Sequence, residues 1–574
     1  MNMTRDIQTS STTLVLRYMW LLASVLPACS GNQYEPTQRT EAPPFQAQGF
    51  DSSGAIETTS LPSEDIIRGR EDNDVDLIDA VAVPTPDGFD TTLAPDLTPI
   101  DTSNPSADII PPGTDDTSSA PVTDNCGLYK MKCNDQCIPS TVDPASCGSC
   151  STECDEDEVC SGGKCTTEQC LGSLIACGSA CVNVQTDSLH CGACSAACAD
   201  GALCSGGTCV DGEALETSDS CESNTSLVLA QNGVPICLGN TAQQTFQWAL
   251  CSCTSNSLFG AITTDSYDSI VGPYAPGGVF GDVATNGDMS TANTLTVGGH
   301  VRIAGNGGLT SNNTVTIKQA LHSNGPVTLT SESSISTDGY VNGTVSTATK
   351  VDFGGTLTQP AGTTNAGMVT ANAFALGEIN ITPPCPCDNS AIIPVGALMM
   401  DYSLPENNDN AAVGLEASLL QTPGGPKHLQ LPCGVFYLSG ISNTAAVTIT
   451  TTGNTALFID GDIDVSGMLH IHPLPGAQLD IFTLGSIKIN GNTVLGSPNY
   501  PAATRIYIGG NGPVTFANSL ELSGFLYSDQ ATVSVNNALD IYGGLSVYKL
   551  QTSNTLVVHY DSGAQQLSEY CPAP

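Results

Sequence analysis

The chain has 574 residues, of which 57 are acidic and only 15 are Lys or Arg, giving a formal charge of −42. Nucleic-acid recognition needs a basic footprint and is excluded, as is direct electrostatic attraction to anionic lipid. The 25 cysteines indicate an oxidising compartment and argue against a cytosolic enzyme.

In chain order, Arg5 and Arg17 precede an apolar run, Tyr18 to Leu26. That run is too short for a spanning helix, which needs about 20 apolar residues, and it reads as an export signal over residues 1–28. Leu26-Pro27-Ala28-Cys29 resembles the bacterial lipoprotein box. The resemblance implies that Cys29 becomes the mature N-terminus and carries a lipid, the chain's link to a membrane. Ser30 stands where an aspartate would favour inner-membrane retention, so the same resemblance implies the outer membrane or cell surface. The alternative is an ordinary secretory signal with an incidental cysteine. Residues 29–125 are rich in Thr, Ser, Pro and acidic residues and poor in aromatics. They cannot bury enough surface to offset chain entropy and form a disordered acidic tether. As a coil it would span roughly 55 Å.

Cysteines then fall at Cys126, Cys133, Cys137, Cys147, Cys150, Cys154, Cys160 and Cys165, and again at Cys170, Cys177, Cys181, Cys191, Cys194, Cys198, Cys204 and Cys209. The second set repeats the spacing of the first, so two copies of one small module, 126–165 and 166–209, stand in tandem. Modules this small lack a sufficient apolar core and need cross-links. Cys221, Cys237, Cys251, Cys253, Cys385, Cys387, Cys433 and Cys571 keep the parity even, as full pairing requires, but spacing leaves connectivity open. The rival is zinc, because Cys147/Cys150 and Cys191/Cys194 are CxxC pairs. Cys160-Ser161-Gly162-Gly163-Lys164-Cys165 and Cys204-Ser205-Gly206-Gly207-Thr208-Cys209 share a tight Ser-Gly-Gly turn. These repeats resemble short cysteine-rich modules of secreted proteins and lipoproteins in myxobacteria-like Gram-negative bacteria. The resemblance implies a rigid spacer or contact module and carries no catalytic residues.

After a linker at 210–240, apolar residues recur on a step of six, as in Val283, Met289, Leu295 and Val301, then Leu309, Val315, Leu321 and Val327. Many open an apolar-x-apolar triplet, which puts both apolar side chains on one face of a short strand. The fold class expected over 241–574 is mainly β, a β-solenoid or β-helix; a β-sandwich is the alternative. The coil length is open between 18 and 26 residues. Residues 385–445 look like an insert with short helices near 391–404 and 411–420. Phe246 to Cys253, Pro383 to Asp388, Asn407 to Leu415, Leu431 to Gly440 and Leu457 to Asp462 resemble motifs of an uncharacterised bacterial β-solenoid domain. More loosely, the region is similar to polymer-forming β-solenoid proteins. Neither resemblance implies a reaction.

Asp460, Asp462 and Asp464 alternate and are expected on one strand side, where carboxylates could serve glycoside chemistry or hold calcium. Glu406 and Asp409 are the other calcium candidates. No catalytic or metal site is assigned, and calcium is the one ion these acidic groups would suit. His470 and His472 share a side without an evident third ligand. Cys251/Cys253 and Cys385/Cys387 are expected to staple the start of the solenoid to the insert. The expectation is a lipid-anchored, non-catalytic envelope or surface protein with a structural or adhesive role. Its partner would be a polysaccharide, an envelope protein or a second copy of itself. The alternatives are a glycoside hydrolase or lyase on a β-helix, and a calcium-dependent adhesin.

Overall fold

Triplets such as Leu295–Val297 and Val301–Ile303 bury their first and third side chains and expose the middle one to a greater degree. Three residues are all that one face of a narrow coil needs, and Gly, Asn or Ser then turns the chain. The computed structural model describes residues 126–572, apart from 127, 135, 156, 168–169, 216–224, 388–392 and 517–519. The export signal, Cys29, the tether and Cys221 lie outside the described residues.

The strands build a β-solenoid with parallel ladders, three strands to a coil. Val301 stacks on Val283, and Leu309 on Met289. Three steps of six therefore close a coil of 18 residues, sometimes lengthened to 20 by a longer turn. The 26-residue block is not a structural unit. From Lys427 onward the coils widen: Val447 lies on Lys427, Leu469 on Val447, Thr493 on Leu469 and Leu520 on Thr493. The solenoid thus resumes at Lys427, well before 445. Its connecting segment holds helices Val395–Tyr402 and Asn410–Val413.

The order of coils in space is not their order in sequence. Leu250–Ser252 pairs in parallel with Val283–Thr285 on one side and with Leu545–Val547 on the other. Ile262–Tyr267 likewise pairs with Leu556–Asp561. The first coil in sequence is stacked on the last, and this seam lies inside the rod. One core column crosses it: Phe436, Leu457, Ile481, Ile506, Leu526, Leu545, Leu250, Val283, Val301, Leu321, Gly339, Leu357 and Phe374. At about 4.8 Å per rung, its twelve steps span roughly 58 Å.

This permuted order places Leu376 and Lys427 at opposite ends, so the chain between them runs back along the rod. Asparagine side chains hold it as a strand would: Asn324 exchanges two hydrogen bonds with the backbone of Ile381 (2.7 and 2.6 Å), and Asn286 two with that of Cys385 (3.0 and 2.9 Å). Disulfides Cys251–Cys385 and Cys253–Cys387 fasten it beside the seam, as the staple reading expected. Tyr402 then stacks on Phe458, opening an outward aromatic ladder through Phe482 to Tyr507 with centroids 4.7–5.0 Å apart.

The two cysteine modules share one connectivity: Cys126–Cys137, Cys133–Cys150, Cys147–Cys160 and Cys154–Cys165, then Cys170–Cys181, Cys177–Cys194, Cys191–Cys204 and Cys198–Cys209. No CxxC pair is joined within itself, and every one of these thiols is in a disulfide, which leaves zinc no ligands here. Cys237–Cys571 ties the entry of the solenoid domain to its last residues. Cys433 is disulfide-bonded as well.

Candidate functional site

Strand residues that point out of the solenoid normally meet water. On one face of the wide coils most of them do not. Register places His428, Thr448, His470, Val494, Glu521 and Asp540 in one outward column, exposed only at Asp540; the second cysteine module lies across it and the first packs beside it. Ser205 Oγ donates to Lys427 O at 3.1 Å and lies 3.0 Å from Thr448 Oγ1. Ser173 N donates to Glu521 Oε2 at 2.7 Å, and Ser161 Oγ to Asn499 Oδ1 at 3.3 Å. The first module sends Leu128 and Tyr129 into the buried core. The Tyr129 hydroxyl meets Ser269 Oγ at 2.7 Å, and its ring packs 5.7 Å from Tyr500.

Two cavities remain under the modules. One, of about 520 Å³, is lined by Val142, Val182, His428, Thr450, His472 and Tyr500 among others. The second, of about 600 Å³, is lined by Ile175, Met468, His470, Glu521, Asp540 and Tyr542 among others. His428, His470 and His472 are 5, 3 and 9% exposed. Burial pushes His428 and His470 down to about 4; burial, aided by the other two rings, takes His472 to about 3. All three rings are therefore neutral at pH 7. His428 Nε2 lies 3.0 Å from Thr450 Oγ1, whereas Nδ1 of each ring is buried without a hydrogen-bond partner. Buried polar atoms are normally paired, so these three Nδ1 atoms are exceptions, each on a ring that lines one of the two cavities but itself closed to solvent. The side shared by His470 and His472 is as expected from sequence. His428 was not foreseen, because only the ladder brings it onto the same face.

At the seam the chemistry is ionic. His559 Nδ1 lies 2.6 Å from Asp265 Oδ1, and its Nε2 lies 3.0 Å from Asp540 Oδ1. Tyr274 donates its hydroxyl to Asp265 Oδ2 at 2.7 Å, with its ring 4.0 Å from the imidazole. Burial alone would lower the His559 value. Hydrogen bonds to, and charges on, Asp265 and Asp540 outweigh it and raise the ring to about 9. The group is an imidazolium clamp between first and last coils.

Three of the five acidic candidates, Asp460, Asp462 and Asp409, accept hydrogen bonds within the fold. Asp460, Asp462 and Asp464 do not share one strand, because a corner separates Thr455–Ile459 from Ile463–Val465. Asp460 accepts from the Tyr437 hydroxyl at 3.1 Å. Asp462 Oδ1 accepts from both N and Oγ of Ser486 (2.8 and 2.7 Å), which lowers its pKa. Asp464 is exposed and in register with Lys488. Asp282, Asp288 and Asp338 repeat the Asp462 device, accepting from the backbone N of His300, Gly307 and Thr356 at 2.6–2.7 Å. A corner aspartate thus fastens each of several coils to the next.

Asp409 and Asn410 close one end of the rod. Val435 N donates to Asp409 Oδ2 at 2.8 Å, and Asn410 exchanges two bonds with the backbone of Tyr437 (2.7 and 2.9 Å). Glu213–Ala214 pairs with Leu429 and Gln430 on the adjoining face. Glu406 is exposed beside this cap.

Residues 404–567 match the model of a domain of unknown function, DUF7305. The match covers the cap, the wide coils and the last coil of the seam. No curated protein and no solved structure matches the chain.

Proposed function

We propose an exported, lipid-anchored envelope protein with a structural or adhesive role, in which the flank beneath the cysteine modules holds a neutral glycan of the cell wall or extracellular matrix. The carrying observation is that the modules are built into the solenoid, with Tyr129 in its core, and leave cavities lined by three uncharged histidines whose Nδ1 atoms have no hydrogen-bond partner. Neutral imidazoles and Tyr500 offer hydrogen bonds to sugar hydroxyls, and the apolar remainder suits sugar C–H faces. A net charge of −42 discourages acidic polymers. The disulfides fit an oxidising setting outside the cytosol, and among the described residues no helix is long and apolar enough to cross a membrane. In this reading the anchor is a lipid on Cys29. Glycoside hydrolysis at Asp462 and calcium capture at Asp409 have less support, because both carboxylates already hold backbone N–H groups.

The test is binding of the full chain to a panel of neutral and acidic polysaccharides, with His472→Phe to fill the first cavity and Asp462→Ala as control. Binding of a neutral glycan that His472→Phe abolishes and Asp462→Ala spares supports the assignment. Binding indifferent to His472→Phe, or glycan cleavage lost with Asp462→Ala, defeats it. Mass spectrometry of the mature N-terminus tests the acyl group on Cys29.

A further inference from the structure

The two ends of the rod differ. At the capped end, Phe436, Leu429 and Ile441 of the first wide coil are fully buried, covered by residues of the 404–425 segment and paired to Glu213–Ala214. The opposite end is formed by Ala366–Leu376, which stacks on Val345–Gln359. No further strand pairs with it among the described residues. Phe374 continues the core column above Leu357, and Leu376 stands on Gln359. Leu357 is fully buried, yet Phe374 is 60% and Leu376 77% exposed. Among the described residues nothing covers the core there.

Natural sheets blunt such edges with charge, proline or a covering segment, and solenoids end in polar caps. Here none of those devices operates along the strand: Ala366–Leu376 has neither proline nor charge, and residues 353–377 contain no Asp, Glu, Lys or Arg. In a chain of charge −42, two copies repel one another over most of their surface. This end is where they can meet without that opposition. The nearest charges on the preceding coil, Lys350 and Asp352, are paired at 3.8 Å.

We infer that this free end is a self-association surface on which a second copy of the chain stacks tail to tail. The cap occupies the other end, so stacking cannot propagate. The product is a closed two-fold dimer with identical uncharged edges facing each other, in which the bare backbone edge gains partners and Phe374 and Leu376 gain the apolar cover their column lacks. This inference is independent of the glycan assignment.

The experiment uses the full chain with Cys29→Ser, to leave out the lipid, in sedimentation velocity and light scattering at micromolar concentration. The expected mass is twice the 58.9 kDa chain, with rods in negative stain joined at one end. Phe374→Lys with Leu376→Lys should give monomers with an unchanged circular dichroism spectrum, whereas Glu416→Lys, near the cap, should leave the dimer intact. A monomeric parent protein, a dimer that survives the two lysines, or open-ended polymers would each overturn the inference.

Discussion

Arg505 and Asp480 show how a single contact in this protein depends on the coil geometry. Two guanidinium nitrogens meet the two carboxylate oxygens at 2.6 Å, a third donates to Ala502 O at 2.9 Å, and Arg505 is fully buried. Bidentate geometry and satisfied neighbours make removal of one partner costly, so Asp480→Asn should destabilise by about 3–5 kcal/mol in denaturant unfolding. The seam imidazole gives a pH signature. His559 is raised from about 6.5 to about 9, so folding takes up a proton in that window. Its contribution is fully present below about pH 6.5 and is lost as pH rises through 9. Thermal melts should fall over that range and lose that slope in His559→Gln. Neither group was legible in the sequence. Asp480 and Arg505 are neighbours only because a coil there is 25 residues long, and His559 meets Asp265 only across the permuted seam. The alternating Asp460, Asp462 and Asp464, by contrast, were conspicuous in sequence, and the first two accept hydrogen bonds from Tyr437 and Ser486. Asp462→Ala should therefore cost roughly 1–2 kcal/mol as a lost charge-assisted bond.

Among elements, the step of six was plainest in the narrow coils and survived only in part in the wide ones. In 283–341 the outward face meets water, so apolar and polar residues alternate and the step of six stands out. In Leu479–Thr483 and Thr504–Ile508 both faces are buried, one inside the rod and one under the return strap and its aromatic ladder, and the alternation disappears. The ladder itself is worth testing: Phe482 is fully buried between Phe458 and Tyr507, and Phe482→Ala should cost about 3–5 kcal/mol. The module-covered face predicts acid sensitivity. His428, His470 and His472 are depressed to about 4, 4 and 3, so the unfolded chain binds more protons. Their contribution is present above about pH 6.5 and is lost as pH falls toward 4. Hydrogen exchange of 126–209 should speed up over that window, ahead of 283–341.

For the molecule as a whole, the disulfides and the seam act together. Of the bridges with both ends described, eight are local to the modules and three link distant segments, and Cys433 is bridged besides. Cys237–Cys571, with a separation of 334 residues, closes the longest loop and by chain entropy is the most stabilising. The even parity of cysteines and the staple between Cys251/Cys253 and Cys385/Cys387 were visible in sequence; the pairing within the modules was not, because spacing alone leaves it open.

That order has a consequence for biogenesis. A polypeptide made from its N-terminus delivers residues 250–267 long before 539–561, yet each is the other's neighbour. The early coil must wait with one edge bare until synthesis is finished, so an interrupted product cannot hide its defect. Chains ending before Leu539 leave that edge unpaired and should be digested faster than the full chain at the same protease concentration.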